Sequence, residues 1–500
     1  MPVRCSVRSA GEQPDHPVTP IDPVYGFGEA GAPITLYRGP LVIGSGKPAE
    51  GHIWLRLSGD LEVLWEADKH CALGPTTLEF SCPSIGEVTI PAVATSSNGF
   101  GYLPGAETRA ADDLTRVAVH WVNAPMLLPA DPLTDAGKVF AGRWKCEPGS
   151  WRIVLDMRPD HGACTQGLRH SPNFAVTQIG SLERADGSPF TSAQAVDVLL
   201  GLQAALSFAF GGWVAPALPV GFNAEGTRTW EHWAPWRCDP FYGHMRWLDT
   251  YRSGDLAAVV TGFLTLWAEP SGRDLIWRLS HHAVCASNGA TTTEARIMLA
   301  QAALEYLGWV TYVLEQGRAP GTHRRREAHD VLRDLLTDAG IPTAIPAELN
   351  ALRQVLDEPD LDGPRALTWL RNRLVHPKDA AEPYRIDKAV QHGWLLSMQH
   401  LDLLTLRPSA TTATTCGGSV VALPTTANRS HGPRQPPNEP ETRPCPRQAD
   451  ITDTGALPRR CRLRVPIRGR PRPSSRMHQR PLATRHRRLT MPLTGKQAVR

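Results

Sequence analysis

The stretch Pro364-Arg-Ala-Leu-Thr-Trp-Leu-Arg-Asn-Arg-Leu-Val-His-Pro-Lys378 determines how the C-terminal half of the chain is interpreted. Its apolar residues, from Ala366 and Leu367 to Leu374, recur at helical spacing. Pro364 suits the first turn of a helix, and Pro377 cannot continue a helix beyond His376. The stretch therefore predicts a short helix that ends at about His376.

The last turns of this predicted helix carry three side chains with possible chemistry. Asn372 and His376 are four residues apart and share one helix face, and Arg371 lies beside them. An imidazole, an amide and a guanidinium would then converge, which is a plausible catalytic set for phosphodiester chemistry. The alternative is that the arginine is a solvated helix charge and that His376 is favoured at a helix C-terminus by the helix dipole.

The sequence on either side of this stretch predicts further amphipathic helices. Thr291 and Glu294 form a capping-box pattern, and apolar residues follow at spacings of three and four up to Leu314. The other predicted helices are 322–337, whose first turn holds His323 to Arg326, a short one at 348–356, and a last one at 383–406. Short loops between successive amphipathic helices predict an all-α, up-and-down bundle over residues 285–406.

The N-terminal half has a different pattern. Short strand-like runs such as 53–57, 61–65, 117–122 and 151–157, separated by Gly, Pro, Asn and Asp, predict a β-rich domain over residues 21–190. Residues 191–284 are predicted to be a mixed helical and Trp-rich connection that begins with a core helix capped by Thr or Ser. Residues 1–20 are expected to be flexible. The fold class is therefore α+β multidomain.

Residues 407–500 are Pro- and Arg-rich without apolar periodicity, so a disordered basic tail is expected there. From residue 408 onward the chain has 18 basic and 4 acidic residues, which leaves 35 basic and 45 acidic residues before it. The body therefore has a net charge of −10, although the whole chain is at +4. Because the positive charge is concentrated in the tail, the basic balance does not by itself indicate nucleic-acid binding.

Metal, membrane and secretion signals are weak. The ten cysteines include no Cys-x-x-Cys pair, which argues against a disulfide framework or a zinc ribbon. Two clusters could supply metal ligands, but their spacings fit no standard zinc unit, so neither a metal nor a cofactor is expected. They are Cys146, His161, Cys164 and His170, and His281, His282 and Cys285. The apolar segment 195–222 is interrupted by Asp197, glycines and prolines, and the N-terminus has no apolar signal region, so a cytoplasmic protein without a membrane span is expected.

Five tryptophans lie close together along the chain, among prolines and glycines: Trp213, Trp230, Trp233, Trp236 and Trp247. Such a segment could stack on bases or bind a partner. Large aromatic residues more often form cores and domain interfaces, and this interpretation is favoured.

The predicted bundle, together with Arg371-Asn372, His376 and the Pro that follows, resembles the HEPN domain family over about residues 285–406. Arg, a polar residue and a His a few residues later are the hallmark of that family. The arrangement of a β-rich region before such a bundle also looks like the ApeA-type anti-phage HEPN proteins, as does the phrase Leu218-Pro219-Val220-Gly221.

This resemblance implies a metal-independent endoribonuclease that forms 2′,3′-cyclic phosphate ends. His376 would transfer the proton, and Arg371 would hold the charge that develops on the phosphate. Asn372 would orient His376 or the phosphate. The expected RNA-binding residues are Arg324, Arg325, Arg326, Arg373 and Lys378. Because cleavage needs both a base and an acid, a homodimer with facing motif helices is expected.

Three functions therefore follow from the sequence. The first is an anti-phage, abortive-infection or toxin-like ribonuclease whose N-terminal region senses an unknown trigger. The second is a non-catalytic scaffold that binds or dimerises through the bundle. The third, disfavoured, is a metal-dependent hydrolase built on Cys146, His161, Cys164 and His170.

Overall fold

The N-terminal part of the fold is a closed six-stranded antiparallel barrel. The computed structural model describes residues 17–128, 130–171, 173–241, 248 and 253–414 of the chain. The barrel strands are β1 Ile34–Ile43, β2 Ala49–Arg56, β3 Glu62–Ala67, β4 Gly74–Cys82, β5 Gly86–Ser96 and β6 Phe100–Tyr102. Their order is β1-β2-β3-β6-β5-β4, and β4 closes the barrel by pairing with β1.

The barrel interior is filled by alternate side chains of each strand. Ile53 and Leu55 of β2 and Val63 and Trp65 of β3 are almost fully buried, as the two-residue period of a strand requires. Gly101 of β6 lies where the chain passes the Trp65 indole, and a Cβ there would come within 1.9 Å of the Val93 carbonyl oxygen. A side chain larger than hydrogen therefore cannot be accommodated at that position without displacing β5.

An eight-stranded antiparallel sheet follows the barrel. Its order is β7-β14-β13-β8-β12-β11-β10-β9. The strands are β7 Ala106–Glu107, β8 Arg116–Val122, β9 Asp131–Asp135, β10 Lys138–Cys146, β11 Trp151–Met157, β12 Val176–Arg184, β13 Ala215–Phe222 and β14 Arg228–Trp233, with α1 His161–His170 between β11 and β12. Because β13 and β14 pair beside β8, the sheet combines strands from either side of residue 190.

The C-terminal part is helical. Its helices are α2 Ser192–Phe210, α3 Ser253–Trp267, α4 Pro270–Ser287, α5 Thr293–Trp309, α6 Pro320–Arg324, α7 Ala328–Asp338, α8 Gly363–Val375 and α9 Ala389–Thr414. A π-helical turn, Val310–Glu315, continues α5, and 3-10 helices occupy Ala347–Gln354 and Glu382–Tyr384. α5 packs against α4, α7, α8 and α9, so it is the central helix of this region.

Helix α2 connects the sheet to the helices. Thr191 caps it in a capping box with Gln194, and Gly211 ends it in the left-handed conformation. It packs against β13 and against α3 and α4, and it is buried on nearly all sides, as expected for a helix that is apolar all round. Gly201 allows α3 to approach, because a Cβ there would lie 2.7 Å from Leu264.

The predicted fold class is confirmed: a β-rich region precedes a helical region. The predicted strands at 53–57, 61–65, 117–122 and 151–157 correspond to β2, β3, β8 and β11. Their ends agree within two residues, except that β2 begins four residues earlier, at Ala49. The four described tryptophans of the Trp-rich segment, Trp213, Trp230, Trp233 and Trp236, are buried, as the core interpretation predicts. Trp247 lies outside the described residues.

Several predicted boundaries were wrong. The predicted helix 322–337 is two helices, α6 and α7, so His323 to Arg326 lie at the end of α6 and in the turn after it. Helix α9 runs to Thr414 and enters the segment assigned to the tail. Val18, placed in the flexible N-terminus, forms a parallel bridge to Leu133. The expectations for residues 1–16 and 415–500 lie outside the described residues.

Two helical segments are long and apolar enough to cross a membrane by length and composition alone, Ser192–Phe210 and Thr293–Glu315. The first is α2, which is enclosed between the sheet and other helices. The second is α5 with its π-helical turn, which packs against four neighbouring helices. The buried share is 72% for the first segment and 56% for the second.

Candidate nucleic-acid interface and cleavage site

Helix α8 holds two of the predicted catalytic residues, Arg371 and Asn372, near its C-terminal end, and His376 directly follows it. The Asp362 side chain caps its start by accepting a hydrogen bond from the Arg365 backbone N–H at 2.9 Å. Leu367 and Leu370 are fully buried, and Leu370 packs against α9 at Gly393, where a Cβ would lie 2.2 Å from the leucine. Because the apolar face is fixed against the bundle, the polar end of α8 is turned toward solvent.

The structure shows a contact between Arg371 and Asn372, whereas His376 lies beyond the end of α8. The Arg371 guanidinium donates to Asn372 Oδ1 at 3.0 Å. His376 follows the end of the helix with φ −126° and ψ 67°, and its backbone N–H bonds to the Asn372 carbonyl. Because the backbone leaves the helical conformation at His376, its exposed imidazole does not continue the face that carries Asn372, and the predicted convergence of three side chains is not formed.

Arg371 has a second partner that the sequence analysis missed. Its guanidinium lies 3.4 Å from the carboxylate of Glu305 on α5. Both side chains are partly exposed, so the pair is accessible to solvent and is worth little as a stabilising interaction. The sequence showed Glu305 only as an acidic residue on a predicted helix. Its pairing with Arg371 depends on how α5 and α8 pack.

A single stripe on α5 connects the predicted catalytic and RNA-binding residues. Residues at spacings of three and four share a helix face, and the stripe consists of Glu294, Met298, Ala302, Glu305 and Trp309. Glu305 pairs with Arg371, and one turn further the Trp309 ring lies 5.5 Å from the Arg324 guanidinium. Arg324, a predicted RNA-binding residue, and Arg371, a predicted catalytic residue, are 47 positions apart in sequence. Their partners on α5 place them next to each other along this helix.

The basic residues around α6 form a cluster on two aromatic rings. Arg324 faces Trp309, and the Arg318 guanidinium lies 4.1 Å from the ring of Tyr312. The His323 ring contacts both aromatic rings, and its pKa is lowered by burial and by Arg326 and Arg318. Tyr312 is fully buried, so the accessible ring of this cluster is the partly exposed Trp309. Positive charge beside an accessible aromatic ring suits a single-stranded nucleic acid.

Not all predicted RNA-binding residues are equally available. Arg326 forms an ion pair with Asp334 at 2.8 Å, and Arg373 forms one with Glu382 at 3.0 Å. Arg324 and Arg325 are exposed, and Lys378 is exposed in the loop after α8. The cations that a polyanion could reach without breaking an ion pair are therefore Arg324, Arg325 and Lys378.

The same surface carries exposed apolar side chains. Met298 lies on the α5 stripe, Val375 lies one turn after Arg371 on α8, and Tyr384 donates a hydrogen bond to Glu294 at 2.6 Å. This hydrogen bond raises the pKa of Tyr384 to about 12 and lowers the pKa of Glu294. An exposed apolar patch next to polar residues is typical of an interaction surface.

The cysteine and histidine clusters do not assemble into metal sites. In the described part of the chain, no group of three or more His, Cys, Asp or Glu side chains is arranged to hold a metal ion. Cys164 instead accepts a hydrogen bond from buried Arg158, and burial lowers the pKa of His161 to about 4. His281 Nδ1 lies 2.8 Å from the Arg237 guanidinium. This cation occupies the position that a metal ion bound to His281 Nδ1 would need.

A second polar cluster, which sequence reasoning missed, lies buried where the N-terminal segment crosses the sheet. Glu231 of β14 is fully buried; it accepts hydrogen bonds from the Tyr25 hydroxyl and from the Trp233 indole, and it forms an ion pair with Arg228. Arg228 also donates to the Tyr25 oxygen at 2.7 Å. Burial and the adjacent Glu231 raise the pKa of Tyr25, so this cluster is a structural network of neutral and paired groups.

Comparison with known proteins relates these regions to two protein families. Residues 109–244 match the YopA central domain, which covers most of the sheet together with α2, and residues 274–408 match the YopA C-terminal domain, which covers the bundle from α4 onward. The chain is 25% identical over 375 residues to the SPbeta prophage-derived protein YopA of Bacillus subtilis (strain 168), a match that spans 70% of this chain and 80% of that protein. No solved structure matches the chain.

These matches correct the family interpretation. No HEPN family is detected, and the resemblance to HEPN domains and to ApeA-type proteins was wrong. The pattern of Arg and a His a few residues later is short enough to recur by chance near a helix end. The phrase Leu218-Pro219-Val220-Gly221 belongs to strand β13, where the register shifts and Leu218 has φ +46°.

Proposed function

We propose that the helical region is a metal-independent endoribonuclease, with RNA bound along the α5 stripe and cleaved beside α8. The observation that carries this proposal is the α5 stripe. Arg371 pairs with Glu305, and Arg324 lies over the ring of Trp309. Glu305 and Trp309 are one helical turn apart, about 6 Å along the axis of α5. Successive nucleotides of a single-stranded RNA can span this distance along α5. Bases would stack on the ring of Trp309, and phosphates would reach Arg324, Arg325 and Arg371.

The cleavage step needs a base, an acid and a charge acceptor. The ribose 2′-oxygen forms a bond to phosphorus while the bond from phosphorus to the 5′-oxygen breaks, so one proton leaves the 2′-hydroxyl and another reaches the 5′-oxygen. His376 transfers one of these protons, and Arg371 exchanges Glu305 for the phosphate, which gains negative charge in the transition state. Asn372 holds the guanidinium through its Oδ1.

The second proton-transfer group comes from a second copy of the chain, because the motif helix supplies one histidine. The exposed Met298, Val375 and Tyr384 border the site and would be covered in a homodimer whose α8 helices face each other. This patch also favours a second candidate function, a non-catalytic scaffold that dimerises through the same surface. A dimer without cleavage activity would support the scaffold and exclude the nuclease.

The relative from a prophage suggests a biological setting. A nuclease of a phage or of its host that acts inside the bacterial cell would be cytoplasmic and toxin-like. The barrel and sheet before the bundle would then sense the trigger.

Replacing His376 by Ala is expected to lower the rate of RNA cleavage about 100-fold or more, because a general acid–base group contributes this much. Wild type should cleave a single-stranded RNA in EDTA and leave 2′,3′-cyclic phosphate ends, measured by gel electrophoresis and mass spectrometry. His170→Ala is the matched control, since His170 is also an exposed histidine at a helix end. Equal rates for wild type and His376→Ala, or activity that requires an added metal, would exclude the proposed mechanism.

Replacing Arg324 and Arg325 together by Ala is expected to weaken RNA binding and to reduce its salt dependence. Loss of two phosphate contacts should lower the slope of log affinity against log salt by about 1.4 for a single strand. Fluorescence anisotropy of a labelled, uncleavable oligonucleotide over a salt series measures the slope. Arg184→Ala is a suitable control, because Arg184 also stacks on a tryptophan, Trp151, at 3.9 Å. An unchanged slope would place the RNA elsewhere.

A further inference from the structure

The outer face of the barrel carries an unpartnered group of aromatic side chains. We call His52, Trp54, Phe100 and Tyr102 the aromatic strip. The His52 and Trp54 rings are stacked with centroids 4.8 Å apart, and Trp54 and Phe100 are 6.3 Å apart. Phe100 and Tyr102 are each more than a third exposed, although large aromatic residues normally lose this surface to a core or a partner.

The strand register explains why these rings meet. Trp54, Leu64 and Tyr102 are direct cross-strand neighbours on β2, β3 and β6. His52, Glu66 and Phe100 form the adjacent row on the same strands. Because successive side chains of a strand alternate, both rows lie on the outer face while Ile53, Trp65 and Gly101 point into the barrel.

A carboxylate lies in the middle of this apolar surface. Glu66 is 59% exposed, and its carboxylate lies 4.0 Å from the His52 imidazole. The pKa of His52 is lowered by burial and by Arg38, so the imidazole is neutral near pH 7. Arg38 is the direct cross-strand neighbour of His52 on β1 and is separated from Glu66 by the His52 position. In the described residues, neither Arg38 nor another Arg or Lys side chain forms an ion pair with Glu66. Thr35 holds the imidazole by a hydrogen bond of 3.0 Å.

The charge of the whole barrel has the same sign. Residues 34–102 contain four basic and seven acidic residues. Among the basic ones, Arg56 is paired with Glu62 and Asp60. A polyanion would therefore meet a field of the wrong sign, whereas a cation would be attracted both by the acidic residues and by the negative faces of the aromatic rings.

We propose that the aromatic strip is a docking site for an arginine- or lysine-bearing segment of a partner protein, with the cationic head group between the Trp54, Phe100 and Tyr102 rings and the Glu66 carboxylate. Aromatic faces with an uncompensated carboxylate recognise a weakly hydrated cation such as a guanidinium. The site lies outside both regions that match the YopA domains. It is independent of the proposed nuclease function and could serve as the sensing surface of the N-terminal region.

The test uses the full-length chain and a fluorescein-labelled octapeptide of alternating arginine and serine. The matched probe replaces each arginine by citrulline, which keeps the shape and removes the charge. Anisotropy titrations should show saturable binding of the arginine peptide and about tenfold weaker binding of the citrulline peptide. Glu66→Gln, which conserves size, should weaken binding about fivefold, and Phe100→Thr with Tyr102→Thr about tenfold.

Glu79→Gln is the control, because Glu79 is an exposed glutamate on β4, the strand directly opposite β3 in the barrel. It should bind the peptide as wild type does. Equal losses for Glu66→Gln and Glu79→Gln would show attraction to the acidic protein at large and overturn the proposal. So would the absence of saturable binding, or binding of a labelled oligouridylate that the Phe100 and Tyr102 substitutions abolish, which would assign the strip to nucleic acid.

Discussion

Lowering the pH from 7.5 to 5.0 is expected to reduce the free energy of unfolding by about 6 kcal/mol. Three histidines, His120, His161 and His400, are almost fully buried, and burial lowers the pKa of each to about 4. In the unfolded chain a histidine has a pKa of about 6.5. Between these values the unfolded state binds protons that the folded state does not, so stability falls as the pH falls.

His120 shows the structural cause. Its Nδ1–H donates to the Leu218 carbonyl at 3.0 Å, and its Nε2 accepts the Tyr25 backbone N–H at 3.1 Å. Both partners require a neutral ring, because a proton on Nε2 would break the bond to Tyr25. Each of the three histidines contributes about 2 kcal/mol of this loss at pH 5.

Urea unfolding at both pH values measures the loss. A His400→Gln variant should lose about 2 kcal/mol less than wild type between the two pH values, because it lacks one of the three titrations. The comparison is made within each protein, so any direct effect of the substitution cancels. A wild-type stability that is the same at pH 7.5 and 5.0 would contradict the assignment of these histidines as neutral.

Replacing Glu231 by Ala is expected to cost about 3–5 kcal/mol of unfolding free energy, because it removes one side of a buried ion pair. Arg228 would keep its charge and lose its carboxylate, and the Trp233 indole N–H, now 2.9 Å from the carboxylate, would lose its acceptor. The loss should therefore far exceed that of a typical surface ion pair.

The control is Glu231→Gln, which keeps an acceptor for Trp233 and Tyr25 and should cost less than the Ala substitution. Substituting the exposed Glu62, which pairs with Arg56 at 2.6 Å, should change stability by less than about 1 kcal/mol. Chemical denaturation of the three variants at pH 7.5 ranks them. A Glu231→Ala loss no larger than that of Glu62→Ala would show that the buried network is not a stabilising unit.

Local patterns in the sequence predicted much of the secondary structure. The strand-like runs 117–122 and 151–157, the capping residue Thr191 and the helix-start residue Pro364 are recognised from neighbours within a few residues. Barrel closure depends on residues far apart in sequence, because β1 and β4 pair through residues such as Val42 and Glu79. No local pattern specifies such a pair. The addition of β13 and β14 to the sheet is likewise a long-range event.

The candidate site was predictable in part for the same reason. Arg371 and Asn372 both lie within α8, as the apolar periodicity predicts, although a contact between neighbouring side chains does not follow from helical spacing. His376 lies beyond the last helical residue, where the side-chain direction is set by the loop, and the periodicity was extended too far. Glu305 and Trp309 became part of the site through the packing of α5 against α8 and α6, which a single sequence does not reveal.

The burial of α2 on nearly all sides has a consequence for how the chain can be divided. The helix falls inside the segment that matches the YopA central domain, yet α3 and α4, which cover it, lie at or beyond the end of that segment. A gene fragment that ended between the two matched segments would encode a helix with too few polar residues to face water. The sheet and the bundle are therefore expected to fold together, and a chain truncated between the two matched segments should be less stable than one that contains both.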